Sequence, residues 1–225
     1  MLEAMTIQIR RRAVAALLVC AMAAPAAMHA RQAPQHPTST PYTGDLSIFE
    51  YKDRDQKLQI QRVMDLLGIR PGSSVADIGA GSGWFTARAS QRVGPSGKVF
   101  AEDINPEAVK AIAQRAQKEG LANVQTIQGT PDDPELPKDS VDAVLLLKVY
   151  HEVAHTNLLL RNLKPALKPG AKIGIIDRNG TGDDHGLNEA IVVKEMTAAG
   201  FQKVGRYDFT KADGQDYFLI FTLRQ

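Results

Sequence analysis

The chain has 225 residues, 44% of them hydrophobic and 23% charged, which suits one well-cored domain plus an appendage. Its formal charge is +2, and Arg10, Arg11 and Arg12 against Glu3 account for all of it, so the chain beyond residue 30 is neutral. Neutrality gives no electrostatic footing for nucleic acid or an anionic membrane surface, and with Cys20 as the lone cysteine there is no disulfide framework, thiolate nucleophile or cysteine metal site after it.

Arg10-Arg11-Arg12 form a basic region, and Ala13 to Ala24 an apolar run closed by Pro25. This pattern predicts a signal peptide over residues 1–30, cut after Ala24-Pro25-Ala26 or Met28-His29-Ala30, and hence a periplasmic or secreted protein. The run is too short to span a bilayer, so no stable membrane span is expected once the leader is removed. Val19 before Cys20 disfavours a lipid anchor, and the residues around the arginines match a twin-arginine signal poorly. A start at Met5 or a later Met would leave the protein in the cytoplasm.

Arg31 to Pro41 is rich in Pro, Gln, Ser and Thr and predicts a flexible linker, taken to residue 45, before a folded domain over 46–225. Leu58, Val63, Leu66 and Leu67 recur at helical spacing and predict one helix from Arg54 to Leu67, stopped by Gly68 and Pro71. Strand one covers Ser74 to Ile78. It runs into Gly79-Ala80-Gly81-Ser82-Gly83, and a helix begins at Trp84 and ends near Gly94-Pro95. A strand, a glycine turn and a helix make the first βα unit of an open α/β sheet, whose ligands bind at the carboxyl ends of the strands. The bland alternative is a turn that only closes the connection.

A dinucleotide fingerprint would need Gly-x-Gly-x-x-Gly, and counting from Gly79 its third glycine falls on Trp84. Strand two, Lys98 to Ala101, closes on Glu102-Asp103-Ile104, about 20 residues past the glycines, where an acid can take both ribose hydroxyls of a nucleoside. Asp103 fits that place better than Glu102, though either could cap the helix that starts at Pro106 and ends at Gly120. Asn123 to Gln128 is strand three. Val141 to Leu147 is a continuous apolar run, as in a central strand buried on both faces, and it opens into Lys148-Val149-Tyr150-His151-Glu152. A helix over Leu158–Leu167, strand five over Lys172–Asp177, a helix over Leu187–Ala199 and strands Phe201–Phe209 and Gln215–Leu223 complete the chain.

The run Asp77-x-Gly79-x-Gly81-x-Gly83, with Asp103, the polar end of strand four, Leu167-Lys168-Pro169-Gly170 and the closing strand pair, resembles the class I S-adenosylmethionine-dependent methyltransferases over about residues 46–223. The resemblance implies an α/β fold: a Rossmann-like, seven-stranded, mostly parallel sheet with a C-terminal antiparallel hairpin and helices on both faces. It implies S-adenosyl-L-methionine as cofactor, held by Asp77, Ile78, Gly79, Ala80, Gly81, Gly83, Asp103, Ile104 and Lys148. In the Gly129-Thr130-Pro131-Asp132-Asp133 segment, Thr130 stands where the family's acid beside the adenine is usual. Thr130 and Asp132 are carried into the set, and Asp133 is an alternative to Asp132.

Methyl transfer needs donor and acceptor held in line in a dry pocket more than it needs a triad. If a base is used, His151 is best placed, Glu152 could orient it and Tyr150 could shape the acceptor pocket, with His155 and His185 as weaker candidates. A helix-opening residue bonded to backbone is the plain alternative for His151. No metal is expected: His151-Glu152-Val153-Ala154-His155 has the zincin spacing, but the two histidines share one helix face only if the turn is already helical. The chain lacks the Asp/Asn-Pro-Pro-Tyr/Phe motif of DNA amino-methyltransferases and the cysteines of arsenite methyltransferases, which leaves a small-molecule acceptor. Oligomeric state is open. Because this cofactor is made in the cytoplasm while the leader points outward, a non-catalytic adenosyl-ligand-binding module in the periplasm is the second reading.

Overall fold

A computed structural model describes residues 33–224. The predicted signal peptide lies outside the described residues. The elements run α1 (Arg54–Leu58), α2 (Ile60–Leu67), β1 (Ser74–Ile78), α3 (Trp84–Val93), β2 (Lys98–Asp103), α4 (Pro106–Glu119), β3 (Val124–Gln128), β4 (Val141–Leu147), α5 (Thr156–Leu163), β5 (Leu167–Asp177), α6 (Glu189–Ala198), β6 (Phe201–Tyr207) and β7 (Tyr217–Leu223). The sheet has seven strands in the order β3-β2-β1-β4-β5-β7-β6. The first five are parallel, and β7 is inserted antiparallel between β5 and β6. From β1 the chain winds outward to β3 and then returns to set β4 on the other side of β1. That reversal splays the connections apart and opens a crevice beyond the carboxyl ends of β1 and β4.

Each central strand buries both faces. Ala76, Val144 and Leu146 pack with α5 and α6, through Leu160, Leu163, Val192 and Met196. Val75, Ala143 and Leu145 face the other way, against Met64, Leu67, Phe85 and Val93 of α2 and α3. The apolar run of β4 thus feeds two cores, and each fully buried aliphatic side chain contributes about 1.5–3 kcal/mol. Among the described residues no helix is long and apolar enough to cross a membrane.

Several elements differ from their sequence expectations. The helix expected over 54–67 breaks at Gln59, whose φ is +51°. Leu58 and Ile60 are both fully buried, and residues two apart cannot share one helix face, so a left-handed residue between them turns both inward. The helix expected to run to Leu167 ends at Leu163, where Lys164–Ala166 tightens to a 3₁₀ turn around Pro165, which has no N–H to continue the ladder. The Leu167-Lys168-Pro169-Gly170 turn belongs to β5, which pairs Leu167 with Val141 and shifts register before Lys172. After Tyr207 the chain leaves the sheet, and Phe209–Asp213 forms another 3₁₀ turn.

Composition points to a flexible linker over 31–45, yet residues 33–45 carry long-range bonds. The Gln35 N–H donates to the Ala154 carbonyl at 2.9 Å. His36 Nδ1 lies 2.9 Å from Glu195 Oε1, and the Ser39 hydroxyl donates to the Gly182 carbonyl at 2.8 Å. His36 and Ser39 are buried. The Tyr150 and Thr156 hydroxyls meet the same Glu195 carboxylate, so one partly buried acid gathers the N-terminal segment, the β4 end and α5 onto α6.

The turn from α3 to β2 is closed by Gly97. A Cβ there would stand 2.6 Å from the Ser73 carbonyl oxygen, which is itself fixed by the Lys98 N–H. Gly97→Ala is expected to destabilise the fold by about 1–3 kcal/mol through overpacking. Urea unfolding checks it, and an unchanged midpoint would show that the turn yields freely.

Candidate active site

The glycine loop leaves β1 in left-handed backbone, with φ of +66° at Gly79, +56° at Gly81 and +73° at Gly83. At Gly79 a side chain is barred twice, because a Cβ would also lie 2.6 Å from Val149 Cγ2 at the end of β4. The loop is tied to β2. The Ala80 N–H donates to the Glu102 carbonyl at 2.8 Å, and the Gly81 N–H to Asp103 Oδ2 at 2.8 Å. Asp103 Oδ1 takes the Asn105 N–H at 2.8 Å, so one carboxylate braces both the loop and the start of α4.

Beyond the strand ends lies a cavity of about 660 Å³. Its floor is the glycine loop with Asp77, Glu102, Asp103 and Ile104, and its far side is Leu147, Lys148, Val149 and Glu152. Residues 38–43 of the N-terminal segment and Phe49 line it as well.

Three acids share the floor, and burial raises the pKa of each. Asp77, which accepts from the Thr86 hydroxyl at 2.6 Å, is pushed up to about 7. Glu102, beneath Gly79, is pushed up to about 8. Asp103 is raised by burial too, opposed by the backbone N–H groups of Asn105 and Gly81. Like charges add to the first two, since Asp103 raises both. On the far side, burial pushes Glu152 up to about 7.

Of the residues put forward from the sequence as cofactor-binding, Asp77, Ile78, Gly79, Ala80, Gly81, Asp103, Ile104, Thr130 and Lys148 line this cavity. Gly83 and Asp132 do not. Gly83 turns toward α4, where an added Cβ would stand 3.3 Å from Ile112 Cγ1. Asp132 pairs with His155 Nδ1 at 2.8 Å. Of Tyr150, His151 and Glu152, only Glu152 is on the cavity wall. The Tyr150 hydroxyl points back to Glu195 at 3.1 Å, and burial raises its pKa. His151 is 3% exposed, and its Nδ1 lies 2.8 Å from Asp177 Oδ2 at the end of β5.

Four groups escaped the sequence reading. Arg54 is buried on the cavity wall, its guanidinium 4.1 Å from the Trp84 ring centroid and its Nη1 donating to the Phe49 carbonyl at 2.6 Å. Its buried Nε has no acceptor among the described residues. In sequence, Asp53-Arg54-Asp55 reads as a solvated charge run. Tyr51 and Asp213 form a second group: the Tyr51 hydroxyl donates to Asp213, whose other oxygen lies 3.2 Å from Lys148 Nζ. The third is residues 38–43, whose composition carries no signal for a cavity wall. The fourth is Asp177, visible as the end of a strand but not as the partner of His151.

A family model described as "Methyltransferase domain" matches residues 69–212, more than half of the chain. The ubiquinone/menaquinone biosynthesis C-methyltransferase UbiE of Ectopseudomonas mendocina is 33% identical over 115 residues, covering 51% of this chain and 45% of that protein. The chain thus spans less than half the length of that relative. The crystal structure of a SAM-dependent methyltransferase from Aquifex aeolicus superposes with a TM-score of 0.72 at 24% identity, over 81% of this chain and all of the other. Aeropyrum pernix fibrillarin, in complex with natively bound S-adenosyl-L-methionine, gives a TM-score of 0.56 at 14% identity over 72% of this chain and 74% of its own. With its strand order, glycine loop and β2 acid, the chain belongs to the class I S-adenosylmethionine-dependent methyltransferase family.

Proposed function

We propose that the cavity binds S-adenosylmethionine and that the protein transfers its methyl group to a small-molecule acceptor. The observation that carries this reading is the convergence on one cavity of a bare glycine loop, a strand-end acid and a buried guanidinium. Its volume falls within the range of about 300–1,000 Å³ usual for small-molecule sites.

When bound, the cofactor supplies a sulfonium-activated methyl carbon, so that the acceptor's lone pair forms the new bond as the carbon–sulfur bond breaks onto sulfur. The chain's own part is to hold and exclude. Each oxygen of Asp103 already takes one backbone N–H and has capacity left to accept a ribose hydroxyl. Arg54 is assigned the amino-acid carboxylate, because it lines the cavity and a guanidinium holds a carboxylate by charge-assisted hydrogen bonds. A positive charge on the ligand would favour the ionised form of the floor acids over the protonated form that burial promotes. Residues 38–43 and Phe49 restrict solvent, and Glu152 is the member of the predicted catalytic trio left to meet the acceptor. Export is part of the proposal and rests on Arg10–Arg12 and the apolar run after them. Cell fractionation of the full chain beside one lacking residues 1–30 tests it: equal retention in the cytoplasm would sink it.

Calorimetry on S-adenosylhomocysteine and 5′-methylthioadenosine, which lacks the amino-acid end, separates the two assignments. Losing a charge-assisted hydrogen bond costs about 1.5–3 kcal/mol, so Asp103→Ala is expected to weaken both ligands by about 10- to 150-fold. Arg54→Ala should weaken S-adenosylhomocysteine by a similar factor and leave 5′-methylthioadenosine unchanged. Equal loss of both in Arg54→Ala would remove the carboxylate assignment. Tight binding without methyl transfer to any acceptor in a screen would favour the non-catalytic adenosyl-binding module.

The raised carboxyl of Glu102 makes stability depend on pH. Its ordinary value is 4.5 and its folded value about 8, so between these the native state holds a proton that the unfolded chain has lost. Stability of the ligand-free protein therefore falls as pH rises through that window, by up to about 1.4 kcal/mol per pH unit from this group, and levels off above it. Glu102→Gln should flatten the fall in thermal unfolding between about pH 5 and pH 8. A slope equal to that of the wild type would mean Glu102 is ionised in the fold.

A further inference from the structure

Behind the cavity wall three side chains converge from two separate segments. His151 and Glu152 stand in the 3₁₀ turn after β4, and His185 on the loop between β5 and α6. One ligand atom from each lies within 4.8 Å of the other two. His151 Nε2 is 3.9 Å from Glu152 Oε1, and the His151 and His185 rings meet edge to face with centroids 6.0 Å apart. We propose that His151, Glu152 and His185 form a binding site for a divalent transition-metal ion beside the cavity.

The surroundings of each residue fit ligation. The Asp177 carboxylate, fully buried, engages His151 Nδ1 at 2.8 and 3.0 Å, and so leaves Nε2 as the atom to offer. A carboxylate on the distal ring nitrogen is the usual support for a metal-bound histidine, fixing its tautomer and orientation. His185 is exposed, so an ion has a route in. Its loop is fastened rather than free: the His185 N–H donates to the Ser39 hydroxyl at 2.8 Å, and Arg178 Nε donates to its carbonyl at 2.9 Å. Two borderline imidazoles with one hard carboxylate suit zinc or ferrous iron with coordination positions left open, and do not suit magnesium, which wants an all-oxygen set.

In sequence His155 stands beside His151 and Glu152, where no metal is expected, and the structure engages its ring with Asp132. The residue that closes the set is 34 positions from His151, so no local spacing could show it. Because Glu152 also lines the cavity, an ion here would be positioned to hold an oxygen of the acceptor and ease loss of its proton. That consequence rests on the methyl-transfer reading; the metal site itself does not.

The test uses the untagged full chain, stripped with a chelator and titrated with Co²⁺, whose visible d–d bands report ligation by nitrogen and oxygen. One equivalent is expected to bind with visible bands, and Zn²⁺ to displace it. His185→Ala and Glu152→Gln should abolish the bands while thermal unfolding stays cooperative, and His155→Ala should keep them. Asp177→Asn should weaken Co²⁺ by about 10- to 100-fold, as loss of such supporting carboxylates does. Absence of bands in the wild type, bands that persist in His185→Ala, or displacement of Co²⁺ by Mg²⁺ would each overturn the site. A chain that takes Co²⁺ but binds no S-adenosylhomocysteine would sink the cofactor reading and leave the metal site standing.

Discussion

The site depends on one steric constraint at the end of β1. The chain must leave the sheet there while Val149, at the end of the neighbouring strand, fills the space a side chain would use. Only a left-handed residue without Cβ satisfies both demands, and Gly79 does. Because the loop passes this close to β4, its backbone lies bare along one wall of the cavity. The same approach brings the Gly81 N–H onto Asp103 of β2, so that β1, β2 and β4 are locked at their carboxyl ends by one turn. Placement of the acids, the start of α3 and the position of the β4 terminus all follow from it.

Electrostatics then sets the character of the cavity. Asp77, Glu102 and Asp103 are held at strand ends by a sheet that withdraws them from water, and Arg54 is the buried cation on the same wall. Desolvation penalises each charge, and mutual repulsion adds to it, so Asp77 and Glu102 keep protons that exposed carboxylates would have lost. Arg54 cannot shed its proton and instead lies over Trp84 and near Tyr51, where ring faces replace part of its hydration. A ligand that brings both a carboxylate and positive charge answers both imbalances at once.

How much of this the sequence shows depends on whether the cause is local. β1 and β4 have the bounds expected from their apolar runs, because a strand buried on both faces needs nothing from the rest of the chain to announce itself. The glycine spacing and the acid after strand two are legible for the same reason. Gln59 is not, because its left-handed φ serves the burial of two neighbours rather than any preference of its own. Nor is residue 36 or 39: a Pro- and Thr-rich segment reads as unstructured until Glu195 and Gly182 supply partners more than 140 positions away. His151 was visible as a polar residue after a buried strand. That its ring turns from the cavity to Asp177 follows from the pairing of β4 with β5, which composition does not encode.

The N-terminal segment therefore has a structural part to play that its composition conceals. The Ser39 hydroxyl donates to the Gly182 carbonyl and accepts from the His185 N–H, fastening the β5–α6 loop at two points. The next residues, Thr40 to Thr43, line the cavity. One short stretch thus covers the strand ends on one side and holds the His185 loop on the other. The β5–α6 loop is also held by its own Thr181–Leu187 bridge, by Leu187 in the core and by Arg178 on the His185 carbonyl, so the Ser39 bonds join an ordered loop to the segment that lines the cavity. A side chain of one carbon and one hydroxyl suffices because both bonds are to backbone, whereas residue 182 must be glycine, since an added Cβ would collide with the Pro37 carbonyl oxygen.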